Sequence, residues 1–264
     1  MFRYLYLVLM MILFVPVLSA KVIESSDIAH IIPYSDQDTL VLLDIDNTVI
    51  QLTQSLGTPQ WFSDFYKKKR SMGISHEIAT AETLHIYLKV NELSNSKPVD
   101  LRTSAIIQKL QEQGIIVLAL TSRDDKLFKT TLRHLKPTKL NFNLGKFKDY
   151  QLKLKVGEKS KVQNGIIFAG GKHKGACLEE FFSMVNWMPK RVIFVDDQLK
   201  AIQEVESSIL KSDIDYIGVR YGYLDQHVQS HNLKVSELQL EHFNKTGQIM
   251  SDETALAVLK QRSD

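Results

Sequence analysis

The sequence predicts an α/β fold in which a parallel β-sheet is flanked by helices. Short apolar runs alternate along the chain with segments whose apolar residues recur at helical spacing. Continuous apolar runs are typical of parallel strands buried on both faces, and their alternation with helices favours right-handed crossovers in one sheet. With 264 residues, of which 44% are hydrophobic, the chain can form one sizeable core and a small second unit.

The first predicted strand, residues 40–45, runs into two carboxylates, Asp44 and Asp46. Because they are two residues apart on an extended backbone, their side chains point in the same direction. Ligands of open α/β sheets bind beyond the carboxyl ends of the strands. Neighbouring carboxylates repel each other, and a hard cation such as Mg²⁺ relieves that repulsion. The stretch therefore fits either a metal site or a strand followed by a solvated Asp/Asn turn.

Three further predicted strands end in polar groups of other kinds. One such end is common, whereas four ends with complementary chemistry indicate a shared site at one edge of a Rossmann-like sheet. For the pair Ser122 and Arg123 alone, a solvated turn is the simpler expectation. The strands and the residues that follow them are residues 115–120 with Thr121, Ser122 and Arg123, residues 165–169 with Gly170 to Lys174, and residues 191–195 with Asp196 and Asp197.

The other segments surround this sheet. Residues 138–164 are polar and rich in lysine, and alternation within them predicts short half-exposed strands at 141–144 and 150–156. Ser251 is expected to cap a last helix. The remaining predicted elements are helices over residues 100–113, 125–135, 176–185 and 200–210, and a strand over residues 214–219.

Residues 49–99 form a predicted insertion between the first strand and the first helix of the core. The insertion reads as mostly helical, because residues 76–90 carry apolar side chains at helical spacing. Residues 61–66 are rich in aromatic side chains, and a basic run follows at 67–70. That run fits either a solvated helix face or a surface that attracts an anionic substrate.

If the four strand ends converge, they bring together side chains that suit a phosphoryl group. A metal ion held by carboxylates and a lysine from the glycine-rich turn would neutralise the phosphoryl oxygens, and the Thr121 hydroxyl would orient them. One carboxylate can attack phosphorus and form an aspartyl-phosphate, while another serves as general acid and base. The set therefore favours phosphoryl-transfer chemistry.

The same residues, in this order, resemble the four motifs of the haloacid dehalogenase (HAD) superfamily. The motifs are Asp44-Ile-Asp46-Asn-Thr48, Thr121 after an apolar strand, Lys174 before a helix, and Asp196-Asp197 after another strand. The second Asp of the first motif is typical of the phosphatase branch. Within that branch the chain is similar to exported bacterial acid phosphatases and to an uncharacterised group of exported members from intracellular bacteria.

The resemblance implies a HAD-like core and a cap. The core would comprise residues 21–48 and 100–264, and the insertion at 49–99 would be a helical cap that excludes water and favours small phosphomonoesters. Thr121 and Lys174 are implied to hold the substrate phosphate, and Ser122 is a further candidate for that contact. Lys172 is the alternative lysine, but Lys174 is preferred because it directly precedes a helix, whose N-terminus is itself an anion site.

The resemblance also implies the catalytic and metal-binding roles. Asp44 would be the nucleophile. Asp46 would protonate the leaving group, then activate water, and its backbone carbonyl would bind Mg²⁺. Asp44, Asp196 and Asp197 would complete the metal set, with Asp197 either a ligand or a partner of the ligands.

The N-terminus and the overall composition bear on location and partners. Residues 1–20 read as a secretory signal peptide, with a charged start, a short apolar run, and small residues at the expected cleavage after Ser19 or Ala20. We therefore expect an exported protein, periplasmic or secreted, without a stable membrane span after cleavage; an uncleaved anchor is the alternative. A net charge of +3 is too small to indicate nucleic-acid binding. A single cysteine, Cys177, excludes an intramolecular disulfide.

The function that the sequence predicts is a Mg²⁺-dependent hydrolase acting on a small phosphorylated substrate. A phosphotransferase would share the chemistry as far as the aspartyl-phosphate, and a non-catalytic binding protein could use the same scaffold. A phospho-receiver module groups similar side chains, but in a different chain order. The sequence identifies neither the substrate, nor the oligomeric state, nor the role of the tail beyond Tyr221.

Overall fold

An eight-stranded, mostly parallel sheet lies at the centre of the protein, in a computed structural model that describes residues 20–262. Helices cover both faces of the sheet, which confirms the predicted fold class. The strands are β1 (Ala20–Ser25), β2 (Thr39–Leu43), β3 (Ile50–Leu52), β4 (Ser96–Pro98), β5 (Ile116–Thr121), β6 (Gln151–Lys153), β7 (Lys161–Gln163), β8 (Ile166–Phe168), β9 (Arg191–Asp196) and β10 (Asp215–Tyr221).

The helices follow the periodic segments of the sequence. Short 3₁₀ turns cover Ile28–Tyr34, Asp125–Leu127, Lys136–Thr138 and Gly145–Phe147. The α-helices are α1 (Pro59–Ser71), α2 (His76–Leu93), α3 (Thr103–Glu112), α4 (Phe128–Leu135), α5 (Lys174–Val185), α6 (Leu199–Ile209), α7 (Asp225–Gln229), α8 (Leu233–Thr246) and α9 (Asp252–Gln261).

The strand order of the main sheet is β1-β10-β9-β2-β5-β8-β7-β6, and the first six of these strands are parallel. From β2 the chain moves to β5 and β8 on one side, and then crosses to β9 and β10 on the other. The strand order therefore reverses direction at β2, and such a switch point is where ligands of open α/β sheets bind.

Strand β2 explains why both faces of the sheet are covered. All five of its residues are buried, as expected for an interior parallel strand. Val41 and Leu43 belong to the apolar cluster on the face of α3, whereas Leu40 and Leu42 belong to the cluster formed with α5 and α6. The period-two alternation of an extended chain thus divides the apolar side chains between two cores.

Three edge elements differ from the sequence-based expectation. Residues 20–25, for which the sequence predicted no strand, form β1, which pairs in parallel with β10. The strand predicted over 141–144 is wrong, because the Asn141 and Asn143 side chains accept backbone N–H groups and form turns instead. The strand predicted over 150–156 is reduced to β6, which pairs antiparallel with β7.

A small two-stranded sheet connects the insertion between β2 and α3 to the core. Strands β3 and β4 pair antiparallel where the chain leaves the core and returns to it. Helix α1 begins after Thr58, whose hydroxyl accepts the Trp61 N–H, and Pro59 occupies its first position. Helix α2 begins in the same way after Ser75. Two capped helices thus account for most of the segment.

The tail beyond Tyr221 packs on this insertion. Its side chains Leu240, Phe243 and Ile249 contact the cluster formed by Leu56, Trp61 and Val90. The sequence-based division assigned residues 100–264 as a whole to the core, whereas helices α8 and α9 lie against the insertion. The apolar residues of α1 and α2 are the physical reason, because they need a cover that the sheet does not provide.

A buried amide joins the tail to the insertion. The Gln239 side chain is fully buried and accepts the Leu56 N–H at 2.8 Å. It also donates to the Met250 carbonyl at 2.9 Å and to Asp252 at 2.7 Å. Asp252 in turn accepts the N–H and the hydroxyl of Ser55 at 2.7 and 2.8 Å. The start of α9 is therefore fixed to the beginning of the insertion.

Within residues 20–262, no helix is long and apolar enough to cross a membrane. The predicted signal peptide lies outside the described residues, apart from the first residue of β1. Strand β1, which begins at Ala20, forms one edge of the main sheet.

We expect Gln239→Ala to lower the free energy of unfolding by about 2–4 kcal/mol, because it leaves the buried Leu56 N–H without a partner. Urea denaturation of the two proteins measures this difference. Gln248→Ala is the matched control, since Gln248 is an exposed residue of the same tail, and we expect it to change stability by less than about 0.5 kcal/mol. Equal midpoints for Gln239→Ala and wild type would contradict the assigned junction.

Candidate active site

The carboxyl ends of four neighbouring strands meet at the switch point of the sheet. Asp44 directly follows β2, Thr121 ends β5, and Asp196 ends β9. The glycine-rich turn after β8 completes this edge and leads to Lys174, the first residue of α5. The structure thus brings together all four strand ends that the sequence predicted to converge.

Lys174 lies at the centre of this edge. Its ammonium nitrogen is 2.6 Å from Asp44 Oδ1 and 2.6 Å from Asp196 Oδ2, and its side chain is 3% exposed. Burial lowers the pKa of Lys174, but the Asp196 and Asp44 carboxylates outweigh this effect and hold the pKa above its ordinary value. The alternative lysine, Lys172, is exposed at the rim of the same cavity.

The position of Lys174 follows from the start of helix α5. The exposed His173 side chain caps the helix by accepting the Ala176 N–H at 3.2 Å. Gly175 lets the first turn approach α6, because a Cβ atom there would lie 2.4 Å from the Glu204 carbonyl oxygen. The helix therefore begins two residues earlier than the sequence indicated, and Lys174 projects from its first turn.

A third carboxylate, Asp197, lies beside the two that contact the lysine. Oxygen atoms of Asp44, Asp196 and Asp197 lie within 4.8 Å of one another. Burial raises the pKa of Asp44, and Asp196 and Asp197 add to this rise against the opposing effect of Lys174. Burial and Asp196 also raise the pKa of Asp197 to about 7, although the Asn47 amide donates to it at 3.2 Å.

This charge balance fits a divalent cation. With all three carboxylates ionised, the ammonium of Lys174 would leave two negative charges uncompensated, and this repulsion is one cause of the raised pKa of Asp44 and Asp197. All the candidate ligand atoms are carboxylate oxygens, which suit a hard ion such as Mg²⁺ rather than a soft transition metal. Asp44, Asp196 and Asp197 are the residues that would hold it.

Asp46 has a different partner. Both of its oxygens accept from the Arg123 guanidinium, from Nε at 2.7 Å and from Nη2 at 2.8 Å. The Arg123 side chain is only 1% exposed, so the expectation of a solvated turn at this residue was wrong. Burial raises the pKa of Asp46, but the Arg123 charge and hydrogen bonds outweigh it and hold the pKa below its ordinary value.

The turn after β8 fixes the loop that carries Thr121, Ser122 and Arg123. The N–H groups of Gly170 and Gly171 donate to the carbonyls of Arg123 and Ser122, both at 3.0 Å. Gly170 has φ +59°, and a Cβ atom there would lie 2.8 Å from the Lys159 carbonyl oxygen. Gly171 has φ +75° with open space around it. Glycine at 170 is thus required both by conformation and by a close approach.

A cavity of about 720 Å³ opens above these groups, between the sheet and the insertion. Its floor includes Asp44, Asp46, Thr121, Lys174 and Asp196. Ser122 is exposed at the wall, whereas the Thr121 side chain is buried and its hydroxyl accepts the Arg123 N–H. The opposite wall comes from α1 and α2 and carries Pro59, Phe62, Tyr66, His76, Leu84 and Tyr87.

Three contributors to this site were not predicted from the sequence. Arg123 is the partner of Asp46, and buried His134 supports Arg123 from α4. Lys159 reaches the cavity rim from the loop between β6 and β7 and lies 3.3 Å from Asp124. Arg123 was the one of these residues that the sequence could have indicated, because it is a cation directly after a strand whose end was predicted to lie beside carboxylates.

We expect Gly170→Ala to lower the free energy of unfolding by about 2–4 kcal/mol, because strain at positive φ adds to a backbone clash. Gly171→Ala is the matched control with the same strain and open space, and its expected cost is about 1–2 kcal/mol. Thermal and urea unfolding of both variants measure the difference. Equal losses would show that the contact with Lys159 does not hold the turn.

Comparison with known proteins finds relatives over almost the whole chain. A protein of Chlamydia pneumoniae named "Putative outer membrane protein" is 23% identical over 243 residues, which are 92% of this chain and 90% of its own length. An uncharacterised protein of Rickettsia prowazekii is 27% identical over 250 residues, 90% of this chain and 89% of its own length.

A solved structure and a family model complete the comparison. The structure is a haloacid dehalogenase-like hydrolase of Streptococcus pneumoniae, with a TM-score of 0.37 and 12% identity, over 69% of this chain and 94% of that one. A likeness so distant carries no inference about this chain. The model of the family described as protein of unknown function DUF2608 matches residues 21–256, and the chain therefore belongs to this family.

Proposed function

We propose that this protein is a Mg²⁺-dependent phosphomonoester hydrolase of the HAD type that acts through an aspartyl-phosphate on Asp44. The observation that carries the proposal is the contact of Lys174 with both Asp44 and Asp196 at 2.6 Å, on the floor of a cavity at the switch point of the sheet. The motif order that resembles the HAD phosphatase branch supports it as well.

The first step forms a bond between a carboxylate oxygen of Asp44 and phosphorus and breaks the bond between phosphorus and the leaving group. Lys174 holds Asp44 Oδ1, which orients the side chain for attack by the other oxygen. Lys174 and the Thr121 loop offer positive charge and donors to the phosphoryl oxygens. A divalent cation held by Asp44, Asp196 and Asp197 would neutralise the charge that develops on those oxygens.

The proton transfers belong to Asp46. It donates a proton to the leaving-group oxygen in the first step and takes one from water in the second. The water oxygen then bonds to phosphorus and Asp44 is released, so the net reaction is hydrolysis of the ester to an alcohol and phosphate. Arg123 holds Asp46 as a carboxylate, the form that activates water. To serve as the acid, Asp46 must first release one oxygen from Arg123 and take up the proton of the bound phosphate monoanion. The proton that Asp46 later takes from water leaves with the product phosphate.

The cavity supports a small substrate with an apolar or aromatic organic group. Its volume of about 720 Å³ suits a small organic phosphate, and Phe62, Tyr66 and Tyr87 offer ring surfaces on the wall opposite Asp44. Lys172 and Lys159 at the rim add positive charge where an anionic substrate would enter.

We also propose that the protein is exported, to the periplasm or the exterior. The signal peptide predicted over residues 1–20 and the names of the Chlamydia relatives support this location. The intact mass of the chain recovered from the periplasm of an expressing bacterium tests it. A chain that begins at Ala20 or Lys21 is expected, and a full-length chain retained in the cytoplasm would contradict export.

We expect Asp44→Asn to abolish release of phosphate from 4-nitrophenyl phosphate while the protein stays folded, because an amide is nearly isosteric with a carboxylate but is a poor nucleophile. Phosphate release and circular dichroism of the chain from Lys21 onward measure the two effects. Asp215→Asn, which removes a carboxylate from the opposite end of the sheet, is the control. Unchanged turnover in Asp44→Asn would exclude the covalent mechanism.

We expect EDTA to abolish turnover and Mg²⁺ to restore it. Asp197→Asn should raise the Mg²⁺ concentration for half-maximal activity about tenfold or more, since it removes one anionic oxygen from the proposed ligand set. A Mg²⁺ titration of wild type and variant after chelation measures this shift. Full activity in EDTA would remove the metal from the proposal.

A further inference from the structure

Asp46 is linked to the insertion by a chain of buried hydrogen bonds. The Asp46 carboxylate receives two bonds from Arg123, and Arg123 Nη1 donates to the Thr131 hydroxyl at 3.1 Å and to His134 Nδ1 at 3.2 Å. Thr131 and His134 both lie on α4 and both are buried. Arg123 is thus held on one side by Asp46 and on the other by α4.

The partners of His134 determine its tautomer. A guanidinium has no acceptor, so His134 Nδ1 must accept from Arg123 and the ring proton resides on Nε2. That Nε2–H then donates to the Ser94 carbonyl at 3.0 Å. Arg133 Nη2 lies 3.4 Å from the same Nε2 but donates its two hydrogens to the carbonyls of Asn91 and Glu92. Burial and the Arg123 charge lower the pKa of His134 to about 4, so the ring is neutral and can make both bonds.

Ser94 begins the return crossing, which we define as residues 94–98, where the chain leaves α2 and re-enters the core. Helix α4 holds this crossing at several points. The Ser96 hydroxyl donates to the His134 carbonyl at 2.7 Å. Arg133 Nη2 donates to the carbonyls of Asn91 and Glu92 at the end of α2, at 3.0 and 2.8 Å. The C-terminal end of α4 is therefore hydrogen-bonded to the C-terminal end of α2, the helix that lines the cavity.

The outgoing chain is tied to the same place. The Gln54 amide donates to the Ser94 hydroxyl at 2.8 Å, and the Thr53 N–H donates to the Asn95 carbonyl at 3.1 Å. The segment that leaves the core and the return crossing are therefore hydrogen-bonded to each other at Ser94 and Asn95, and Ser94 is the residue whose carbonyl His134 contacts. A displacement of the insertion that moves Ser94 would alter the bond that fixes the His134 ring.

We propose that His134 is a positioning residue that couples the return crossing of the insertion to the Arg123–Asp46 pair. The role of Asp46 as proton donor and acceptor rests on the proposed function, whereas the coupling itself rests on the hydrogen bonds. To donate a proton, Asp46 must break one of its hydrogen bonds to Arg123. The position of the Arg123 side chain depends on His134, and the position of His134 depends on the insertion. Proton transfer is thus tied to the insertion that covers the substrate.

The first test uses hydrogen exchange in the substrate-free protein and needs no turnover. Coupling is reciprocal, so Asp46→Asn, which does not touch the return crossing, is expected to speed amide exchange in residues 91–98 about fivefold or more. Asp215→Asn is the matched control, because it removes the carboxylate of another Arg–Asp pair, with Arg191, at the far end of the sheet. Equal exchange over residues 91–98 in the two variants would overturn the coupling.

The second test compares two substitutions of His134. Glutamine offers an acceptor for Arg123 and a donor for Ser94, whereas leucine offers neither. With 4-nitrophenyl phosphate, His134→Leu is expected to lower kcat about tenfold or more with KM changed less than about threefold, and His134→Gln to recover most of that loss. A leucine variant with wild-type kcat, or a glutamine variant no better than leucine at equal folded stability, would contradict a positioning role.

The two tests separate the coupling from the proposed function. A protein without turnover on any phosphomonoester would count against the hydrolase, while the exchange measurement would still decide whether Asp46 and the return crossing are coupled. Normal turnover with no exchange difference would leave the hydrolase in place and remove the coupling.

Discussion

Asp44, Asp196 and Asp197 repel one another, because the carboxyl edge of the sheet brings oxygen atoms of the three carboxylates within 4.8 Å of one another. Strands β2 and β9 are hydrogen-bonded neighbours, and their pairing places Asp44 and Asp196 side by side at the same edge of the sheet. Lys174, in the first turn of α5, offsets part of the repulsion. The divalent cation that we propose would neutralise the remaining negative charge. Such a cluster is costly for stability, which is what a site built to bind and activate a ligand is expected to show.

The rest of the fold places other groups around this cluster. The glycine pair after β8 holds the loop of Thr121 and Arg123, and the insertion covers the cavity with aromatic side chains. The tail fixes the beginning of the insertion through Gln239 and Asp252, while α4 fixes its end through Arg133 and His134. The insertion is thus anchored at both ends, and one of these anchors continues to Asp46.

The sequence predicted the sheet and its carboxyl edge because those features are local. Apolar runs that end in Asp44, Thr121 and Asp196 are visible in a few consecutive residues, and the order of strands and helices follows from their alternation. The start of α5 at Lys174 was harder to predict from the sequence, because it depends on how closely Gly175 approaches α6. The sequence predicted a solvated turn at Arg123, because the partner of Arg123, Asp46, is 77 residues away along the chain. The Gln239 contact joins residues 183 apart and leaves no local pattern at all.

We propose that Asp44 carries the phosphoryl group during turnover, and this covalent species can be trapped. The protein would be mixed with excess 4-nitrophenyl phosphate and Mg²⁺, quenched in acid within the first turnovers and reduced with borohydride, which converts an aspartyl-phosphate to homoserine. Peptide mass spectrometry then identifies the modified residue. We predict that homoserine is found at position 44 and only when substrate was present. Continued turnover with position 44 unmodified, or with the phosphoryl group on another side chain, would contradict it.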